Sequence, residues 1–506
     1  MDATQRLLVL LCVSVPSFMI NLDSNIVAVS LPTIARELHA DFAAIEWVIS
    51  AYTLTFASFV LPAGTLADRY GRKRCLTAGL AIFTAASFVC GAAPSVGVLN
   101  GARAFQGLGA ALQLSAALAI LSHTFRGAER ARAFAFWGAV IGVAITLGPI
   151  VGGVITQSLG WEWAFYINVP VGLVMIALTL YAVTDSRDPH AKRVDVMGFL
   201  SFSLALFLLT LALISGNHQG WDSAVVRYEL AGAGLLLAVF VVVERLQTRP
   251  MLDLGFFRRP TYIGACITNL AFAAGLLTML TYLPLYFQGG FGSDARTAGV
   301  LMLPLAVPLF VVPRLVARYL THRLSGRVLL SMGLMLIAAG LSWLGISAPW
   351  LAYPWMLVGM LVAGIGAGFL NGEGAKVSMT VIPPERAGMA AGVGGTIRFA
   401  GIVVGFAALG AILFGRASSA VATALSSMSD AEQGAIVHRI VSGDLLGGPA
   451  LSPPVLDAAL DSFAAGYQAI FFTAAALVFC ASLASWLLIR TADTAPHCRV
   501  PSVNRP

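Results

Sequence analysis

Apolar runs of about 20 residues, separated by short polar or charged turns, recur along almost the whole chain. A run of that length is what a helix needs to cross the hydrocarbon of a bilayer. Fourteen such stretches stand out, at roughly residues 7–35, 44–65, 75–93, 97–121, 133–157, 164–184, 196–215, 228–244, 261–287, 297–317, 326–345, 351–373, 387–414 and 465–489. The pattern predicts an all-α polytopic membrane protein, and the even count places both chain ends on one side. The stretches group as six, two and six: a first bundle over 1–184, two linker helices with their loops over 185–260, a second bundle over 261–490 and a tail over 491–506. The two sets of six read as distant repeats, a plan common among transporters. The signal is a pair of basic turns at corresponding positions, GTLADRYGRKR (64–74) and ARYLTHRLSGR (317–327), the second degenerate with His322 near the place of Asp68. Residues 416–463, rich in Ser, Ala, Gly and Pro, are expected to form an outer segment that is mobile or only partly helical, without a core of its own.

Composition supports this reading. Charged residues make up 11% of the 506 positions and hydrophobic ones 58%, whereas soluble domains are about 25% charged. The net charge of +7 does not call for nucleic acid as a partner, because the basic residues lie in the turns. With the N-terminus inside, 24 of the 31 Lys and Arg fall on the inner side and five on the outer, while Arg103 and Arg398 lie within spans. That bias predicts a multi-pass protein with both termini cytoplasmic, and the arginine-heavy usage, 28 Arg to 3 Lys, fits a GC-rich bacterial genome and so a bacterial inner membrane. The first apolar run is too long for a cleaved signal peptide and is expected to stay as a span. Six scattered cysteines without a CxxC, and seven dispersed histidines, argue against a disulfide framework or a metal site. No GxxxxGK[ST], GxSxG or HExxH occurs, so nothing points to an enzyme or a resident cofactor, and uphill transport would draw on an ion gradient. The sequence carries no signal for or against a periplasmic adaptor.

Ionisable groups at membrane depth are the candidate chemistry. An ionised carboxylate at the centre of a lipid-facing helix costs about 2.5–3.5 kcal/mol, yet the first stretch carries Asp23 in MINLDSNIVAVSLP. Asp23 lies roughly 24 Å along its helix from Leu7, and Arg103 roughly 10 Å in from the outer face, at 1.5 Å per residue. The two share the outer half of the bilayer and are expected to pair. The pair reads either as a proton site, in which Arg103 changes partner as the carboxylate gains or loses a proton, or as a fixed structural bridge. Glu373 lies near the inner end of the twelfth stretch.

Other stretches carry weaker signals. In the 64–74 turn the cations serve topology alone, or Gly64 and Gly71 permit close helix approach while Asp68 caps the next helix and meets a cation, forming a gate. The fifth stretch, FWGAVIGVAITLGPIVGGVI, spaces Gly138 with Gly142 and Gly148 with Gly152 four apart, with Pro149 between and Gly153 adjacent. That pattern suits close packing and a kink. Trp47, Tyr52 and Phe56 are expected on one face of the second helix, lining an aromatic cavity or packing on a neighbour.

Taken together, these residues resemble the fourteen-span drug:proton antiporter branch of the major facilitator superfamily. LDSNIVAVSLP is similar to its first-span motif, with Asp23 at the acid position. GTLADRYGRKR is similar to the superfamily's gating loop and carries Gly64, Asp68, Arg69, Gly71 and Arg72. LNGARAFQGLGAAL resembles the fourth-span motif through Arg103, Gln106 and Gly107, and LGPIVGG the antiporter-type motif through Gly148, Pro149, Gly152 and Gly153. WEWAFYINVPVG (161–172) and PPERAGMAAGVGGTIRFAG (383–401) resemble two further stretches of the branch. Glu162 departs from its usual arginine, and Phe399 from its usual glutamine after Arg398. The resemblance implies two six-helix bundles rocking about a central cavity, to which Gln106 and Arg398 are added. It also implies proton coupling through Asp23 and Arg103, and export of small apolar or cationic compounds from the bilayer-embedded chain. An importer or uniporter on the same fold is the alternative. A membrane sensor or enzyme would need a soluble domain for which the termini are too short.

Overall fold

The computed structural model describes residues 3–40, 42–125, 127–187, 195–247, 254–371, 373–382, 387–446 and 451–494. Among these, twelve helices are long and apolar enough to cross a membrane, and two bent ones bring the number to fourteen. Spans 1 to 6 are Ala3–Glu37, Phe42–Tyr70, Arg72–Gly91, Val96–Thr124, Gly127–Leu159 and Trp163–Ala182. The linker spans 7 and 8 are Val196–Gln219 and Ala224–Leu246. Span 9 is Pro260–Phe291, span 10 covers 295–320, and spans 11 to 14 are Gly326–Ser347, Tyr353–Leu370, Ala387–Ala424 and Pro453–Leu488. Each expected stretch coincides with a helix. We call the side holding the N-terminus and the turn at Gly71 the terminal face, and the side holding the turn between spans 1 and 2 the distal face.

The bends follow from proline. Span 5 turns by 43° between Ile145 and Leu147, where the ring of Pro149 crowds the carbonyl four residues back and supplies no N–H to it. Span 2 turns by 51° between Val60 and Pro62. Packing repeats between the halves: spans 2 and 4 pack as do 10 and 12, 3 and 4 as do 11 and 12, and 1 and 5 as do 9 and 13. Spans 7 and 8 pack on one another, and span 7 also lies against spans 2 and 13. Phe199 meets Phe59 at 4.7 Å, and Phe207 meets Trp47 at 5.9 Å between ring centres.

The two halves meet from mid-depth to the distal face. Phe56 of span 2 sits edge-on to Phe399 of span 13 at 3.9 Å. Gln288 Nε2 of span 9 donates to the Val29 carbonyl of span 1 at 3.0 Å. Span 5 packs along the start of span 10, with Gly299 against the Pro149 carbonyl.

Residues 416–463 differ from expectation. Span 13 continues to Ala424, a separate cap helix covers Asp430–Val441, and span 14 begins at Pro453. Ser429 and Glu432 form a reciprocal capping box at the start of the cap helix. Ile436, Val437, Ile440 and Val441 make a buried stripe on it that joins the main core. The small residues that suggested a loose segment include alanine, the best helix former, and the apolar stripe at helical spacing gives the segment somewhere to pack. The cap reaches across to the first half: Arg36 Nη1 lies 3.3 Å from Asp444 Oδ1, and His438 Nε2 lies 3.1 Å from the Ala40 carbonyl.

Candidate functional site

Span 4 places Arg103 and Gln106 three residues apart, hence on one face, and that face points at span 1. Span 2 lies close enough to enclose them because Gly107 has no side chain to meet the Tyr52 carbonyl. Arg103 Nη1 donates to Asp23 Oδ2 at 2.6 Å and to Gln106 Oε1 at 2.6 Å, while its Nε donates to the Val48 carbonyl at 2.9 Å. Gln106 Nε2 donates to Asp23 Oδ1 at 2.9 Å and to Ser87 Oγ at 2.9 Å. Asn168 Nδ2 of span 6 adds a third donor to the carboxylate, 2.9 Å from Oδ1. The guanidinium lies 4.2 Å from the centre of the Tyr52 ring, a cation–π contact. Asp23 and Arg103 are each 1% exposed.

The cluster is electrically neutral and its charges are hydrogen-bonded, which is how a buried ion pair becomes tolerable. Each group that bonds Asp23 belongs to the first half, so the carboxylate sits inside one bundle. The guanidinium has three acceptors, the Asp23 carboxylate, Gln106 Oε1 and the Val48 carbonyl.

The expected pairing of Asp23 and Arg103 is present, and Gln106 belongs to this cluster rather than to a cavity. Asn168 and Ser87 were not expected. Asn168 lies within INVPVG, where an amide at the break between two helical segments was the available signal.

The aromatic trio separates. Tyr52 covers Arg103 and lies 6.0 Å from Phe56, but Trp47 faces span 7. Nine residues at 100° each put Trp47 half a turn round from Phe56, so the three do not share a face. Arg398 is half-buried on span 13, with its guanidinium 5.9 Å from the Phe272 ring.

In the 64–74 turn, Gly71 has φ +111°, and a side chain there would come within 2.6 Å of Asp185 Oδ1. Gly64 has open space around it, so it makes no close approach in this conformation. Asp68 does not cap span 3, whose N-cap is Gly71 without a side-chain bond. Asp68 Oδ1 instead accepts from Arg72 Nη2 at 2.8 Å and Nε at 3.1 Å. Arg69 rests over the Tyr70 ring at 5.4 Å. The turn is docked on its own half: Lys73 Nζ donates to the Leu180 carbonyl at 2.7 Å, and the Arg72 N–H to that of Ser186 at 2.9 Å.

The span 5 glycines face two ways. Gly148 and Gly152 lie against Asn25 and Ile26 of span 1. Gly153 lies against Ala295 and Arg296 at the start of span 10. Gly142 faces Phe310 of span 10, while a Cβ on Gly138 would meet no other helix within 4 Å.

The sequence pattern of the Major Facilitator Superfamily matches residues 13–406. The chain is 37% identical over 414 residues to the multidrug resistance protein Stp of Mycobacterium tuberculosis, covering 82% of this chain and 76% of that protein. It is 34% identical over 436 residues to the methylenomycin A resistance protein of Streptomyces coelicolor (85% and 88% covered). It is 32% identical over 417 residues to the tetracenomycin C resistance and export protein of Streptomyces glaucescens (80% and 76%). A crystal structure of a bacterial homologue of the human lysosomal transporter Spinster, inward-facing and unoccupied, matches with a TM-score of 0.62 at 16% identity, covering 98% of this chain and 99% of that one. The peptide transporter POT in complex with alafosfalin matches with a TM-score of 0.64 at 14% identity (96% and 95%). At these identities the structural likeness is one of fold.

Proposed function

The chain belongs to the major facilitator superfamily, and on that premise we propose that it exports small apolar or cationic drug-like compounds by alternating access, in exchange for protons. Its relatives named for drug resistance and export support the cargo class. The observation that carries proton exchange is the buried Asp23–Arg103–Gln106–Asn168 cluster, a titratable group held inside one bundle by a cation that has other acceptors within reach. The terminal face is cytoplasmic in this reading, in accord with the distribution of Lys and Arg, and the membrane is the bacterial cell membrane. The proton gradient takes the place of a cofactor.

Asp23 is enclosed by first-half groups, so the cargo is assigned to the surface between the halves, where Phe56, Phe399 and Arg398 lie. The contacts that join the distal side support reading this conformation as the one that loads cargo from the terminal face.

Everted vesicles test the exchange. Energised vesicles acidify inside, and addition of a transported dye should collapse part of that gradient. Asp23→Asn should abolish the collapse while dye still binds. A variant that exchanges as well as the parent would remove Asp23 from the proton path.

A further inference from the structure

A second carboxyl is buried at the distal end of the contact between the halves. Glu46 lies one turn into span 2 and is 1% exposed. Its Oε1 has no hydrogen-bond partner, and among the described residues no cation forms an ion pair with it. The side chain is seated in the other half: a Cβ on Gly410 of span 13 would collide with Glu46 Oε1 and lie 2.9 Å from the Tyr282 hydroxyl of span 9. Gly410 thus forms the seat, and a first-half acid fills it only when the distal side is joined.

Among the described residues, no hydrogen bond or ion pair is made to this carboxyl. Tyr282 already donates its hydroxyl to the Phe406 carbonyl at 2.7 Å. On span 4, Arg103 is committed to Asp23, Gln106 and Val48. On span 1, Asp23 is held by that cluster, Arg36 faces Asp444, and Glu37 accepts from Trp161 Nε1. On span 3, Arg72, Lys73 and Arg74 lie at the opposite end, and Cys90 faces Gln106. Span 7 carries no Asp, Glu, Lys or Arg, and its one histidine, His218, lies in its last turn. On span 13, Arg398 lies roughly 18 Å deeper than Gly410 at 1.5 Å per residue, and Arg416 is exposed beyond it. A carboxylate without a cation or donors is expensive to bury, whereas a carboxylic acid is far less so.

We propose that Glu46 is a proton-binding site of the distal face, and that this face closes with a proton on its carboxyl. When the halves part there, the seat at Gly410 opens to water. The carboxyl then ionises, releasing its proton to the distal side, and takes one back from that side on closing. This step moves no net charge across the membrane. It links closure, not translocation, to external acidity. The inference rests on the alternating-access part of the proposed function and is independent of the role of Asp23.

The test reads the conformation directly. Spin labels at Pro94→Cys and Ser452→Cys, on a background with the native cysteines replaced by serine, report the distal separation of the halves in nanodiscs. Above the ordinary carboxyl range, the ratio of closed to open protein should rise about tenfold per pH unit of acidification, the slope for one linked proton. Glu46→Gln should stay closed across the range and lose the dependence, and Glu46→Asp should restore it. Asp23→Asn should keep the dependence even if it abolishes exchange, which separates failure of this site from failure of the transport reading. A dependence that survives Glu46→Gln, or that vanishes in Asp444→Asn alone, overturns the proposal. If Glu46→Gln does not assemble, Gly410→Ala decides: blocking the seat should favour the open form at every pH, and an unchanged closed fraction overturns the proposal.

Discussion

At the scale of residues, the Asp23 cluster divides into what was legible and what was not. Depth along two helices was enough to bring Asp23 and Arg103 together, because ionisable groups are rare in spans and need each other. Asn168 and Ser87 gave no comparable signal: an amide or hydroxyl in a span is ordinary, and their partners lie far away in sequence. Trp47 was misplaced because adjacency in a short list of aromatics hid a half-turn. Asn168→Ala removes one of the three donors that favour the carboxylate. A hydrogen bond to a charged group is worth about 1.5–3 kcal/mol, so Asn168→Ala should loosen the cluster and lower the melting temperature of the purified protein. Arg103→Lys should not restore activity, since an ammonium cannot serve Asp23, Gln106 and Val48 in the same fork geometry.

At the scale of elements, proline and glycine in the sequence located the bends and close contacts. The stripe at 436–441 was hidden by the composition around it. Local composition averages over faces, and only the spacing reveals which face can be buried. Gly153 is the most exacting of the span 5 glycines, because a side chain there would meet backbone of span 10, 2.7 Å from Arg296 Cα. Gly153→Ala should therefore force spans 5 and 10 apart, lower efflux several-fold and raise the reactivity of a cysteine placed at Arg296. Gly138→Ala, at a position with open space, should leave both unchanged. At the opposite face Gly71→Ala adds both a disfavoured φ and a clash with Asp185. A residue held in such a region costs about 1–3 kcal/mol, to be read as a lower melting temperature of the purified protein.

At the scale of the whole molecule, closure of the distal side is spread over three layers: the glycine contacts of spans 5 and 10, the seat of Glu46, and the cap helix above them. The cap carries its own titratable contact. Burial pushes the Asp444 carboxyl above its ordinary range, against the pull of Arg36, Arg439 and His438. A carboxyl that binds its proton more tightly when docked favours docking at low pH and loses that contribution as pH rises through its raised value. The half-exposed Arg36 offsets little of this, since solvent-exposed pairs contribute about 0–1 kcal/mol. Acid therefore favours docking of the cap through Asp444, a separate matter from the closure of the halves proposed for Glu46. Thiol labelling of Ala431→Cys on the cap should increase as the medium is made alkaline. Asp444→Asn should flatten that rise by keeping the cap docked, while leaving the spin-label distances across the halves responsive to pH through Glu46. Labelling that rises equally in both proteins would show that the cap is held by its apolar stripe alone.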